Sequence, residues 1–287
     1  TPETAKLYSD PARNELSMVF QFEHITIGYH PQHGKWQPQP FDLIKLKQVF
    51  NKWQTALVDS GWNSLFWNNH DLPRIVSKYG DPGLFRVESA KMLATTLHFM
   101  QGTPYIYQGE EIGMTNVRFP KIEDYQDIES LNLYSERTEA GVPAEEMMEG
   151  IYTNGRDNAR TPMQWSNEAN GGFSRVSPWL KVNPNYTEIN VEAALNDPDS
   201  IFFHYQKLIA LRKNKPIITW GKYQQLLEAH QEVFAYQRIL DNEHIVVISN
   251  FCGHQVQLPL PAEIRNIEGE WLIGNYPPRH GLAEEIT

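Results

Sequence analysis

Cysteine occurs once in the 287 residues, at Cys252. No internal disulfide can form, and a reducing, cytoplasmic location is expected. Basic residues are in deficit: 25 Lys and Arg stand against 35 Asp and Glu, a formal net charge of −10. Nucleic acids and anionic membranes need a basic surface to offset phosphate charge, so neither is expected as a partner. No apolar run approaches the roughly 18 residues of a membrane span, and any signal peptide would lie upstream of Thr1. There is no GxSxG elbow, no GxxxxGK[ST] loop and no CxxC pair, so serine-hydrolase, nucleotide-binding and thiolate-metal readings lack support. His24, His70, His98, His204 and His254 are scattered without ligand spacing; solitary structural roles are expected, with no metal site and no cofactor. Repeats, low-complexity tracts and charge blocks are missing too.

What is present is an apolar run that ends abruptly in polar residues, Trp62–Asp71 (WNSLFWNNHD). Asn63 to Trp67 has the length and composition of a strand covered on both faces. Asn68, Asn69, His70 and Asp71 sit where it stops, and four hydrogen-bonding groups at a strand's carboxyl end suit polyol recognition. The alternative is a turn or helix cap, which the same residue types also make. Asp81-Pro82 provides an N-cap and first-turn proline for a helix running to about Met100. Gly102-Thr103-Pro104 stops it, and Tyr105-Ile106-Tyr107 is expected as a second strand ending in Gln108-Gly109-Glu110-Glu111. Strand, polar end, helix, strand, polar end is the parallel crossover unit of a barrel or doubly wound sheet. With 40% hydrophobic content the chain can fill one large or two ordinary domains.

The strings FWNNHDLPRIVSKYGD, GTPYIYQGEEIGMTNVRFP and GRDNARTPMQW resemble the later motifs of the α-amylase superfamily, glycoside hydrolase family thirteen. Within it they are most similar to the oligo-1,6-glucosidases and dextran glucosidases, from about Glu15 to the end. The resemblance implies an α/β fold: the C-terminal part of a (β/α)8 TIM barrel over residues 1–215, then a truncated antiparallel β domain over 216–287. Met18–Phe22 would be the sixth barrel strand. Asp42 would cap a helix bearing Leu43, Leu46, Val49, Phe50, Trp53 and Leu57 on one face. Residues 115–196 would form a long rim insertion with one helical portion near Ala144–Ile151. A last barrel helix would run from Ser200 to Lys213, its apolar face carrying Phe202, Tyr205, Leu208 and Ile209. Strands are expected at Val233–Leu240, His244–Asn250, Gln255–Leu260 and Glu270–Ile273.

The family reacts through an aspartate nucleophile and a glutamate acid/base that lie earlier in the barrel, with a third aspartate in the NHD motif. Only the third matches here, as Asp71. The resemblance therefore implies an internal piece of a protein about twice as long, inactive alone and partnered by the missing half of the barrel or by itself. The parent would be a retaining α-glucosidase acting on short α-1,6-linked gluco-oligosaccharides. The alternatives are a trehalose-6-phosphate hydrolase and a noncatalytic sugar-binding homologue; Leu72-Pro73-Arg74-Ile75-Val76 argues against a sucrose isomerase.

Roles follow by motif. Asp71 would bind the glucosyl hydroxyls and favour the oxocarbenium-like transition state, with His70 a neutral donor to the same hydroxyls. Arg156 would hold the nonreducing end, the alternative being a salt bridge with Asp157 or another loop carboxylate. Lys35 and Glu129 match positions touching the second glucose, with plain solvation as the alternative. Phe22 is read as part of an aromatic wall or as core packing. From the residues alone, Glu110 and Glu111 could pair with Asp71 at adjacent strand ends; the resemblance speaks against it.

Overall fold

A computed structural model of the chain describes residues 1–258, 269–276 and 285–286. Helix α1 (Pro2–Ser9) leads to a small hairpin, β1 (Tyr29–His30) and β2 (Gly34–Pro38), and then to helix α2 (Leu43–Leu57). The Asp42 carboxylate caps α2 by accepting the Lys45 N–H at 3.1 Å. Leu43, Leu46, Phe50, Trp53 and Leu57 are its buried stripe, as expected, but Lys47 and Gln54 are buried beside them. Gln54 exchanges two hydrogen bonds with the backbone of Gln101, at 2.8 and 2.9 Å.

Strand β3 (Ser64–Leu65) is followed by helices α3 (Ile75–Tyr79) and α4 (Arg86–His98) and by strand β4 (Thr103–Pro104). β3 and β4 pair in parallel, Ser64 opposite Thr103 and Leu65 opposite Pro104, and Val19 bridges Asn63 in parallel on the other side. The strand expected over Met18–Phe22 is thus a single bridge. Its chain curls at once into a 3-10 turn, where the Gln21 side chain accepts the Glu23 N–H at 2.8 Å. The strand expected at Tyr105–Tyr107 lies two residues earlier. α4 begins at Arg86 rather than Pro82, because the Asp81 carboxylate takes the Gly83 N–H at 2.6 Å and makes a turn instead of a helix cap.

Side chains alternate across β3 and its flanks. Leu65 and Trp67 enter the main core against α2 and α4, and the Trp67 indole donates to the Leu93 carbonyl at 2.9 Å. Ser64, Phe66 and Asn68 take the other face. Phe66 packs edge-on against Phe20 and Phe22, which are 47% and 55% exposed, and Tyr105 beside Phe20 is 41% exposed. On this face Ser64 Oγ and both amide atoms of Asn68 are buried without a hydrogen-bond partner. One face of the parallel strands thus enters the main core, and the other carries Phe66 under a layer of part-exposed aromatic rings.

Residues 115–196 are more helical than expected, with α5 (Ile128–Glu139), α6 (Ala144–Asn154), the single turn α7 (Asp157–Arg160) and α8 (Val191–Asn196). α5 escapes sequence reading because its apolar face is short: Leu131 and Tyr134 pack partly buried on the insertion's core, and Ser130 is its one fully buried residue. Val117, Phe119, Tyr125, Met148, Ile151 and Leu180 give the insertion its own core. Gly150 is required there, since a Cβ would stand 2.3 Å from the Trp36 carbonyl oxygen of β2.

α9 (Ile201–Asn214), capped by Ser200, buries Ile201, His204, Tyr205 and Leu208; Phe202 is half-buried and Ile209 exposed, so the buried face is rotated from the expected one. α10 (Pro216–Trp220) precedes β5 (Lys222–Leu226), β6 (Val233–Leu240) and β7 (Glu243–Asn250), an antiparallel sheet in that order. β8 (Val256–Gln257) pairs with β9 (Glu285–Ile286). Of the strand expected at Gln255–Leu260, Pro259 and Leu260 lie outside the described residues. Residues 270–273 form no strand; Leu272 and Ile273 pack on the main core, and Asn275 Nδ2 donates to the Glu88 carbonyl at 2.7 Å. The sheet sets Phe234, Tyr236, Ile245 and Val247 into the same core as Leu65 and Trp67. Among the described residues no helix is long and apolar enough to cross a membrane.

Candidate active site

Four segments converge beyond the carboxyl end of β3: residues 68–71 themselves, the β1–β2 hairpin, the first turn of α5, and α7. Arg74 joins two of them to the neighbouring strand end. Its buried guanidinium donates to the carbonyls of Gln108 at 2.6 Å and Asn158 at 2.9 Å and to the Thr161 hydroxyl at 3.3 Å. Burial pushes its pKa down to about 10, so it is charged at neutral pH.

Asp71 is about half exposed, and its Oδ1 accepts from Arg160 Nη2 at 2.7 Å. Arg160 Nε donates to the His70 carbonyl at 2.9 Å, so one guanidinium grips consecutive residues. Arg156 Nη1 lies 3.8 Å from the same Asp71 oxygen, and His70 Nε2 3.4 Å from Asp71 Oδ2. Arg156 bonds chiefly to Asp127, through Nη2 at 2.6 Å and Nε at 3.0 Å, and approaches Glu129 at 3.2 Å. Lys35 on β2 completes the row, 2.8 Å from Glu129. Three carboxylates and three cations thus alternate in the order Asp71, Arg160, Asp127, Arg156, Glu129, Lys35.

This neutral ribbon places the site residues read from the sequence. Asp71, His70, Arg156, Glu129 and Lys35 come together. Arg156 does bridge loop carboxylates, Asp127 and Glu129, though not its neighbour Asp157. Asp157 instead accepts the Gln126 and Asp127 N–H groups at 2.7 and 2.9 Å. Lys35 and Glu129 bind each other rather than standing free in solvent. Phe22 is not in the ribbon but on the strand face away from the main core, edge-on to Phe66. Glu110 does not join Asp71: it is buried, and Tyr205 donates its hydroxyl to it at 2.6 Å. Burial pushes the Glu110 carboxyl up to about 7.

Sequence reading missed Arg160 and Asp127. Arg160 stands four residues after Arg156, the spacing that puts two side chains on one helical face. Asp127 caps α5, taking the Glu129 N–H at 3.4 Å and the Ser130 hydroxyl at 2.9 Å. Burial pushes its pKa up, but the bonds from Arg156 and Ser130 outweigh this and leave it lowered. Asp127 is therefore an ionised anchor and not a proton donor. The ribbon can orient a polyol and present a carboxylate at Asp71.

Parallel strands joined by helices, with charged side chains gathered beyond the strands' carboxyl ends, are the arrangement of a (β/α)8 barrel's loop face. The chain belongs to the alpha-amylase family, its residues 1–221 matching the alpha amylase catalytic domain. It is 57% identical over 285 residues to a palatinase of Erwinia rhapontici, covering 98% of this chain and 52% of that protein. It is 53% identical over 288 residues to an oligo-1,6-glucosidase of Bacillus cereus, covering 100% of this chain and 51% of that one. The solved trehalose-6-phosphate hydrolase of Bacillus licheniformis superposes with a TM-score of 0.95 at 50% identity, over 100% of this chain and 52% of that one. The chain spans about half the length of these relatives. Its fold is the C-terminal part of a (β/α)8 barrel followed by a small antiparallel β domain.

Proposed function

We propose that the protein containing this chain is a retaining α-glucosidase that releases glucose from short α-1,6-linked gluco-oligosaccharides. The observation that carries this is the Asp71 carboxylate, held by Arg160 at a barrel strand's carboxyl end with Arg156 beside it. Asp71 would press negative charge against the developing oxocarbenium ion, while His70 and Arg156 bind hydroxyls of the nonreducing glucose. Lys35 and Glu129 lie farther along the ribbon, where the second glucose would rest; Phe22 would form an aromatic wall. Domain limits near residue 215 and a cytoplasmic location are part of the same reading.

Retaining hydrolysis needs two carboxyl groups about 5–5.5 Å apart, a nucleophile and an acid. Both are proposed to come from the half of the relatives' length that this chain does not match. That half would also cover the inner face of the strands, where Phe20, Phe22 and Tyr105 are exposed and Asn68 is unpartnered. A second reading, trehalose-6-phosphate hydrolysis, is supported by the superposition on an enzyme of that name.

The test has two arms. The purified 287-residue chain should not turn over isomaltose or a chromogenic α-glucoside, and turnover near that of a whole relative would sink the division of labour. The intact protein, assayed on isomaltose and on trehalose 6-phosphate, should prefer isomaltose in kcat/KM; the opposite preference would establish the second reading.

A further inference from the structure

At the far end of the β6–β7 hairpin three different metal-ligating side chains meet. Glu232 immediately precedes β6, and Cys252 and His254 follow β7. One donor atom from each lies within 4.8 Å of the other two. His254 Nε2 stands 3.2 Å from Glu232 Oε1 and 3.6 Å from Cys252 Sγ. We infer that Glu232, Cys252 and His254 form a binding site for a divalent zinc-like ion that staples the open end of this hairpin.

The two resolved edges decide the geometry. With metal–ligand bonds of about 2.0–2.3 Å, tetrahedral angles put neighbouring donors about 3.3–3.6 Å apart. The His–Glu and His–Cys separations already match those edges, so only the Glu232 carboxylate must swing toward sulfur. Thiolate, imidazole and carboxylate together select a borderline-soft ion over calcium or magnesium, which take oxygen ligands. Water would fill the fourth position. Binding would displace the Cys252 thiol proton, at present directed to Asn250 Oδ1 at 3.0 Å, to solvent.

The ligands ride on a fixed frame. Val233 pairs with Asn250, and the Phe251 N–H continues the ladder to the Glu232 carbonyl at 2.8 Å. Cys252 packs against the cluster of Leu226, Val233, Ala235, Val256 and Leu258, and Asn250 Nδ2 holds the His254 carbonyl at 2.8 Å. An ion here would tie both ends of an antiparallel pair, far in sequence from the sugar-binding ribbon. Cys-x-His with a glutamate twenty residues upstream is no recognised spacing; the site exists through strand pairing.

The experiment is cobalt titration of the chelator-treated protein. One Co2+ per chain should bind, with the sulfur-to-cobalt charge-transfer absorption of a thiolate ligand. Cys252→Ser should abolish that absorption. His254→Gln and Glu232→Gln should each weaken Zn2+ and Co2+ binding beyond the about 10–100-fold that loss of an outer-shell partner costs. Circular dichroism of each metal-free variant should match the parent, which separates ligand loss from misfolding. Zn2+ should also raise the Tm of the parent and leave that of Cys252→Ser unmoved. A parent protein without the charge-transfer band, a band that persists in Cys252→Ser, or equal affinity in all variants overturns the assignment.

Discussion

Arg160 binds the Asp71 carboxylate at 2.7 Å and, through Nε, the carbonyl of the preceding His70 at 2.9 Å. The two bonds fix both the backbone and the side chain of the strand-end turn. Arg160 is itself placed by α7, whose start is tied to α5 through Arg156 and Asp127. The rim insertion therefore sets the position of a carboxylate that belongs to the barrel strand.

Arg160→Gln in the intact protein should consequently lower kcat through Asp71 rather than through lost substrate contact. A displacement of about 1 Å at a reacting group costs on the order of 10²-fold, and a fall of that size with KM nearly constant is expected. Arg160→Lys, which keeps the charge but loses the second donor, should fall between. Steady-state kinetics on isomaltose measure both, and a Gln variant with parental kcat would show that Asp71 needs no such clamp.

Asp71→Asn should lower kcat by about 10²–10³-fold, the range for losing one preorganised electrostatic contact to the transition state. Asparagine retains the shape and one acceptor but not the negative charge. Arg156→Ala should raise KM as well, because its loss is felt in the ground state too. An Asp71→Asn enzyme of nearly unchanged kcat would return the NHD turn to a purely structural cap.

Asp71 was legible because a buried strand ending in four polar residues is a local pattern, α2 and β7 because their apolar spacing is regular, and β6 because it is a short apolar run. Arg160 and Asp127 were not, since their meaning lies in bonds across the insertion, and Asp127 looks like an ordinary helix cap. α5 offers only a short stripe, Leu131 and Tyr134. Lys47 sits within the buried stripe of α2, yet a lysine there reads as solvated because lysine is seldom fully buried. What buries it is a turn remote in sequence.

That turn yields a stability prediction. Lys47 Nζ donates to the carbonyls of Leu227, His230 and Val233 at 2.8, 2.6 and 3.2 Å, and Leu227 holds a left-handed φ of 49°. Lys47→Met keeps the length but takes the ammonium from three carbonyls, of which only that of Leu227 is seen to keep another donor, the His230 N–H at 3.1 Å, and should cost about 2 kcal/mol. Urea unfolding followed by circular dichroism would show it, and a loss near zero would mean that water replaces the ammonium.

The last prediction concerns acid. Burial pushes His24 down to about 3, and His98 and His204 to about 4, from an ordinary 6.5. Below about pH 6.5 the unfolded chain takes up protons that the native chain refuses, so stability should fall on acidification until the native pKa values are reached. Each histidine fully within its window contributes about 1.4 kcal/mol per pH unit. Glu110 opposes them: its carboxyl is raised by burial from 4.5 to about 7, so between those values the native state binds the extra proton and gains stability as pH drops. Three groups against one leave a net loss toward pH 4.5. Glu110→Gln removes the opposing contribution while keeping an acceptor for Tyr205. It should raise stability most near pH 8, where the buried carboxylate is ionised, and least near pH 4.5, where both side chains are neutral. Unfolding free energies of the two proteins across about pH 4.5 to 8 give the difference curve directly. A curve that is flat, or that falls as pH rises, would show that Glu110 is already ionised at the acid end.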